Sequence, residues 1–142
     1  MSSTALLDQI ASLETKIQQK ANAGVRSQRV NLSDTRSDAG FYAADWARKV
    51  TRVGEMNFPD VARRLGISAG PLLEVAINAD GRLREVRILR SSGNSEIDRA
   101  AQRIVEQAAP YPPFPAELRR KIDLLRIESP WRFDPGGRVR AR

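Results

Sequence analysis

The feature that most limits how this chain can fold is a change of hydrophobic period near its middle. Up to about residue 65 the apolar residues recur at helical spacing. From Leu73 they alternate: Leu73, Val75 and Ile77 are interleaved with Glu74, Ala76 and Asn78, and Val86 and Ile88 with Glu85, Arg87 and Leu89. Between the two runs stands Asn78-Ala79-Asp80-Gly81, whose Asp and Gly tolerate positive φ. Two alternating runs around such a turn predict a β-hairpin with one apolar face.

The next segment supplies cover for that face. Ser91-Ser92-Gly93-Asn94 ends the second strand, and Ser95 with Asp98 resembles a capping box. Ile97, Ala100, Ala101, Ile104, Val105 and Ala108 then form one apolar helical face suited to lie on the hairpin. Pro110, Pro112, Pro113 and Pro115 force an extended connection, with one helical turn expected over Ala116 to Arg120. Over 122–133 the alternation returns. Leu125, Ile127, Trp131 and Phe133 are set against Arg126, Glu128 and Arg132, which predicts a third strand with Trp131 and Phe133 in the core. Pro130 cannot donate a ladder hydrogen bond and argues that this strand lies at a sheet edge or carries a bulge.

Upstream, Tyr42, Trp46, Val50 and Val53 predict a helix over 38–54, capped by Asp38, ended by Gly54, and packed on the domain through Trp46. Phe58-Pro59 opens a short helix, Pro59 to Leu65, that Gly66 ends. Residues 22–37 are polar and aperiodic and read as a linker spanning roughly 20 Å on average. Leu6, Ile10, Leu13 and Ile17 put a stripe on an N-terminal amphipathic helix over 4–21, which either pairs as a short coiled coil or packs on the domain. The expected organisation is therefore an N-terminal helix (1–22), a linker (23–37), a folded domain (38–135) and a basic, mobile tail (136–142).

Composition narrows the chemistry. The 142 residues contain no cysteine and no histidine, which removes disulfides, thiolate nucleophiles, nearly all zinc sites and the commonest neutral-pH general base. No carboxylate pair is placed by the pattern inside an apolar cleft, and no Gly-rich phosphate loop follows a strand. The chain reads as a binding module with no cofactor and not as an enzyme. Its net charge of +7 comes from arginines spread along the chain without interleaved aromatics, which favours a solvated surface over a nucleic-acid site. No apolar run of about 18 residues is present, so no membrane span is expected within this sequence.

The ordered set of pieces resembles one family. Phe58-Pro59, Gly70 with Leu73 to Ile77, Asp80-Gly81, Ser91-Ser92-Gly93, Ile97-Asp98-Arg99-Ala100-Ala101, Pro110 to Pro115 and Trp131-Arg132-Phe133 follow the pattern of the TonB C-terminal domain. Phe58 replaces the usual Tyr, and Pro71 shortens the pairing of the first hairpin strand. The resemblance implies an α+β fold: a small three-stranded antiparallel sheet with helices packed on one face. It also implies a periplasmic module, part of a protein anchored in the inner membrane, that transmits force derived from the proton motive force. The implied partners are an ExbB/ExbD-type motor and TonB-dependent outer-membrane receptors. A receptor peptide, the TonB box, would add as a strand along the final strand, taken as the open edge.

The residues the resemblance assigns to receptor binding are Glu55, Met56, Asn57, Phe58 and Pro59 before the first short helix, and Leu124, Arg126, Glu128, Pro130 and Arg132 along the last strand. The bland alternative is that Glu55 to Asn57 form a loop and Arg126, Glu128 and Arg132 a solvated face. An open last edge would also permit a homodimer by edge pairing or strand exchange. A TolA-like envelope linker with a different periplasmic partner is the competing reading. Direct peptidoglycan or nucleic-acid binding through the basic surface is a third, with nucleic acid disfavoured.

Overall fold

The computed structural model describes residues 24–142 together with Gln9 and Ile10. The helix expected over 4–21, and with it the choice between coiled coil and docked helix, lies outside the described residues apart from that pair. The described elements run β1 (Ser27–Asn31), α1 (Asp38–Met56), α2 (Asp60–Leu65), β2 (Ala69–Asn78), β3 (Leu83–Arg90), α3 (Ser95–Ala108), α4 (Ala116–Lys121), β4 (Leu124–Asp134) and β5 (Arg138–Arg140).

The hairpin forms as its alternation requires. β2 and β3 pair antiparallel, with Leu73 opposite Ile88 and Val75 opposite Val86. At the turn, Gly81 N–H donates to Asn78 O at 2.8 Å and Asn78 N–H to Arg82 O at 2.9 Å. Gly81 has φ 92°, and a Cβ there would stand 2.0 Å from Tyr111 O. Glycine therefore does two things at once: it adopts the turn and lets the proline-rich loop lie on it. That loop is held by Tyr111 N–H to Gly81 O and Phe114 N–H to Ala79 O, both 2.9 Å.

At α1 and α3 the helix boundaries differ from expectation, each for a local reason. The cap of α1 is Ser37, not Asp38. The Ser37 hydroxyl accepts the Gly40 N–H at 3.0 Å and itself donates to Asp34 Oδ2 at 2.5 Å. Gly54 does not end α1. The helix continues to Met56, and Gly54 serves close packing, since a Cβ there would come 3.2 Å from Val139 and 3.4 Å from Ile104. The cap of α3 is Asn94, whose side chain accepts the N–H groups of Glu96 and Ile97 at 2.9 and 3.2 Å. Asp98 turns back instead to the Ser91-Ser92 turn, accepting from both hydroxyls and from Ser92 N–H at 2.9 Å. Its carboxyl is pushed up by burial, but those hydrogen bonds outweigh burial and hold it below the usual carboxylate range.

The helices cover one face of the sheet. Leu73, Val75, Ile77, Leu125, Ile127, Trp131 and Phe133 all point into the core, where they meet Trp46 and Val50 of α1 and Ile97, Ile104 and Val105 of α3. The core placement of Trp46, Trp131 and Phe133 read from the sequence is correct, each being 2% exposed or less.

The sheet itself is larger than expected. It has five strands, ordered β1-β4-β2-β3, with β5 also on β4, and it is mixed because β1 runs parallel to β4. Two expectations are thereby corrected. Residues 27–31, read as linker, are a strand. Its only buried side chain is Val30, and one apolar residue in five leaves no periodic signal. Residues 138–140, read as mobile tail, are a strand whose Val139 is 3% exposed, followed by the fully buried Ala141. Small apolar residues between arginines escape a composition-based reading.

Candidate functional site

The last long strand is not an edge. β2 occupies one side of β4 over Ala69 to Asn78, opposite Arg132 to Leu124. The other side is taken by β1 over Leu124 to Glu128 and by β5 over Arg132 to Asp134. The open final edge expected from sequence is therefore filled by the chain's own flanks, and the homodimer reading that rested on it loses its footing. Among the described residues the sheet ends at β3 on one side and at β1 and β5 on the other. Pro130 explains how a proline is tolerated inside a sheet. It falls in the gap between β1, whose pairing stops at Glu128, and β5, whose pairing starts at Arg132. Facing β2, it lies next to the register shift at Ala69 to Leu72.

Alternation places Leu124, Arg126, Glu128, Pro130 and Arg132 together on the sheet face that carries no helix. Leu124 is buried, Arg126 half-buried, and Glu128, Pro130 and Arg132 are exposed. Glu55, Met56 and Asn57 are exposed at the C-terminal end of α1, with Met56 80% exposed. Phe58 packs edge-on against Phe133 with ring centroids 6.0 Å apart, which brings the 55–59 segment to the far end of β4. Arg63 lies over the Phe58 ring, 5.1 Å from its centroid. Pro59 takes the N-cap position of α2, one residue outside the helix expected to begin with it. The expected receptor-facing residues thus form two groups at one strand: a row along its helix-free face and a cluster at its C-terminal end.

A charged centre on the helix-free face went unread in the sequence. Glu74, 3% exposed at its side chain, lies opposite both Arg87 and Glu128 in the ladders. Its carboxylate is 3.2 Å from Arg126 Nη1, 3.2 Å from Arg29 Nη1 and 3.5 Å from Arg87 Nη1. Arg126 also donates to Glu85 at 2.7 Å, and this bond raises its pKa further above the ordinary guanidinium value. Burying a carboxylate is costly unless it is paired and hydrogen-bonded, and three guanidiniums from three strands meet that need. Glu74 sat in an alternating run as an outward-facing residue, so pattern alone marked it as solvated.

A separate clamp fixes the entry of β1. Arg26 N–H and Nε donate to Asp123 Oδ2 at 3.0 and 3.2 Å, and Nη2 to Oδ1 at 2.9 Å. Its guanidinium also reaches the carbonyls of Arg119 and Arg120 at the end of α4. In return Asp123 N–H donates to Arg26 O at 2.7 Å. The Arg26 side-chain hydrogen bond leads in holding the Asp123 carboxyl down to about 2. Where β1 ends, Asn31, Leu32, Ser33, Leu72, Glu128, Pro130 and Arg142 line a groove of about 520 Å³. No helix among the described residues is long and apolar enough to cross a membrane.

Comparison with known families decides the assignment. The profile described as Gram-negative bacterial TonB protein C-terminal matches residues 54–135. This chain belongs to that family. The match takes in α2, the hairpin, α3, α4 and β4, and it begins at the Gly54 that packs on Val139. Membership implies a periplasmic setting and a protein-interaction domain rather than an enzyme. A solution structure of the Helicobacter pylori TonB C-terminal domain is similar at 20% identity and a TM-score of 0.49, covering 71% of this chain and 94% of that one. No curated protein matches the chain.

Proposed function

We propose that this chain is the receptor-engaging part of a TonB-type energy transducer anchored in the inner membrane. It would pass force from an ExbB/ExbD-type motor to TonB-dependent outer-membrane receptors. The observation that carries this is the family match over 54–135, which includes both groups of receptor-facing residues, 55–59 and 124–132. Engagement is by strand addition: main-chain pairing tolerates varied receptor sequences because every peptide carries the same backbone groups. About five added hydrogen bonds at roughly 1 kcal/mol net each offset only part of the association cost, so capture is weak and reversible.

The receptor segment takes the side of β4 now held by β1. What supports this is that a five-residue extended segment already pairs there with Val30 as its single buried side chain. A second reading uses the outer edge of β3, where Ile88 and Leu89 are 40% and 41% exposed. Arg84, Arg87 and Arg90 guard that edge against indiscriminate pairing.

Titration of isotope-labelled protein with N-terminal peptides of outer-membrane receptors tests the reading. Shift changes concentrated on residues 124–132 and 54–59 are expected. Changes confined to 83–90 would move the site to β3, and changes confined to 138–142 would contradict strand addition.

A further inference from the structure

β1 is more than an obstacle on β4, because its side chains report what the strand accepts. We infer that β1 is an internal stand-in for the receptor segment. The preferred partner is then an extended peptide running parallel to β4, with a cationic residue immediately before a compact apolar one. This rests on the strand-addition reading above and names its specificity.

Direction comes from the register: Ser27 lies opposite Leu124 and Asn31 opposite Glu128, which is parallel. The apolar position is Val30. It stands opposite Ile127, is 6% exposed and joins the core. Its neighbours in the strand are exposed, so this one site carries the apolar anchoring. The space suits a side chain of about valine's size, because cores tolerate volume-conserving swaps and resist larger ones.

The cationic position is Arg29. It stands directly opposite Arg126, a like-charged pair that would repel by itself. Glu74 resolves the conflict, lying 3.2 Å from each guanidinium. With β1 removed, the buried Glu74 carboxylate would lose one of its three guanidinium neighbours and keep Arg87 and Arg126. The vacated strand therefore favours an incoming cation and disfavours an anion at this register position. Ser27, Gln28 and Asn31 are exposed, and no paired charge marks them as selective.

The clamp that retains β1 lies outside the paired stretch. Arg26 grips Asp123 and the carbonyls of Arg119 and Arg120, while pairing begins at Ser27. Loosening the clamp should therefore free β1 without altering the surface a peptide meets. Because a segment tethered beside its site competes at high effective concentration, peptide affinity is set by how often β1 is away.

The test uses the full chain in three forms: unaltered, Arg26→Ala, and Val30→Asp as a second way to dislodge β1 should the clamp variant leave it in place. The probes are synthetic peptides of the sequence Ser-Gln-Arg-Val-Asn-Leu, the same with Glu in place of Arg, and a scrambled order. Dissociation constants and shift changes are read by NMR. Dislodging β1 should tighten binding of the first peptide about tenfold, with changes at residues 124–128 and at Glu74. The Glu peptide should bind about fivefold more weakly, and the difference should shrink when Glu74→Gln is added. Equal affinity for the Arg and Glu peptides, or no gain on dislodging β1 by either route, overturns the inference. If receptor peptides bind at 124–132 while these peptides do not, the specificity inference fails and strand addition stands. If none binds to any form, strand addition fails with it.

Discussion

The two sides of β4 are built differently. On one side β2 pairs along nearly the whole strand, antiparallel, and its apolar residues meet those of β4 in the same core: Val75 opposite Ile127 and Ile77 opposite Leu125. On the other side lie two short strands with a gap at Pro130, and only Val30 and Val139 reach the core from their paired stretches. Hydrogen bonding is common to both sides, so it does not separate them. Apolar burial does. The inner side is covered by continuous core packing, while the β1 stretch is held by Val30, by Leu32 just beyond it, by one solvent-facing clamp and by one ion pair. A strand that must be both structural and available to a partner can be made this way, with its permanent neighbour on one side and an exchangeable one on the other.

Substitutions that probe this contrast differ in size. Trp131→Ala, on the inner face of β4, should lower stability by about 3–5 kcal/mol, read as a fall in the urea midpoint with the slope unchanged. A loss below about 1 kcal/mol would mean that β4 is not the core strand described. Asp98→Ala strips the Ser91-Ser92 turn of its acceptor and should cost about 1–3 kcal/mol by the same measurement. Because the Asp98 carboxyl is held below its unfolded value, its contribution is complete above about pH 4 and is lost as pH falls through the folded pKa. The stability deficit of the variant should therefore narrow in acid.

Val30→Ala should cost about 1 kcal/mol or less globally, since β1 can detach locally while the rest stays folded. A loss matching that of a central core valine would erase the distinction between the two sides. The smallest effect is that of acid on the clamp. Asp123, held at about 2 by Arg26, contributes fully above about pH 4 and loses its hold as pH falls towards 2. Between about pH 5 and 8, exchange protection of β1 should show no change from this pair.

The legibility of the sequence divides along the same line. The hairpin, α3, the proline loop and β4 announced themselves because each buries residues at a regular period, and period is what a single sequence displays. β1 and β5 were missed because each buries one residue among polar ones, and their pairing partners lie far away or across a glycine turn. The edge assignment failed for that reason: of the two readings of Pro130, an edge or a bulge, the edge fails, because the proline stands at a seam between two short strands and beside the register shift at Ala69 to Leu72. Of the candidate site, the row 124–132 was legible as one face of an alternating strand. Glu74 and Arg29 were not, since a carboxylate in an outward position becomes buried only when strands from distant parts of the sequence bring arginines over it.

Native-state hydrogen exchange tests the central claim most directly. Amides in the β1 stretch, 27–31, should exchange through an opening well below the global unfolding free energy and independent of denaturant. Those in the β2–β4 pairing, such as Val75 and Ile127, should exchange only with global unfolding. Coincident exchange of β1 with β2 and β4, at one free energy and one denaturant dependence, would contradict an exchangeable strand on β4.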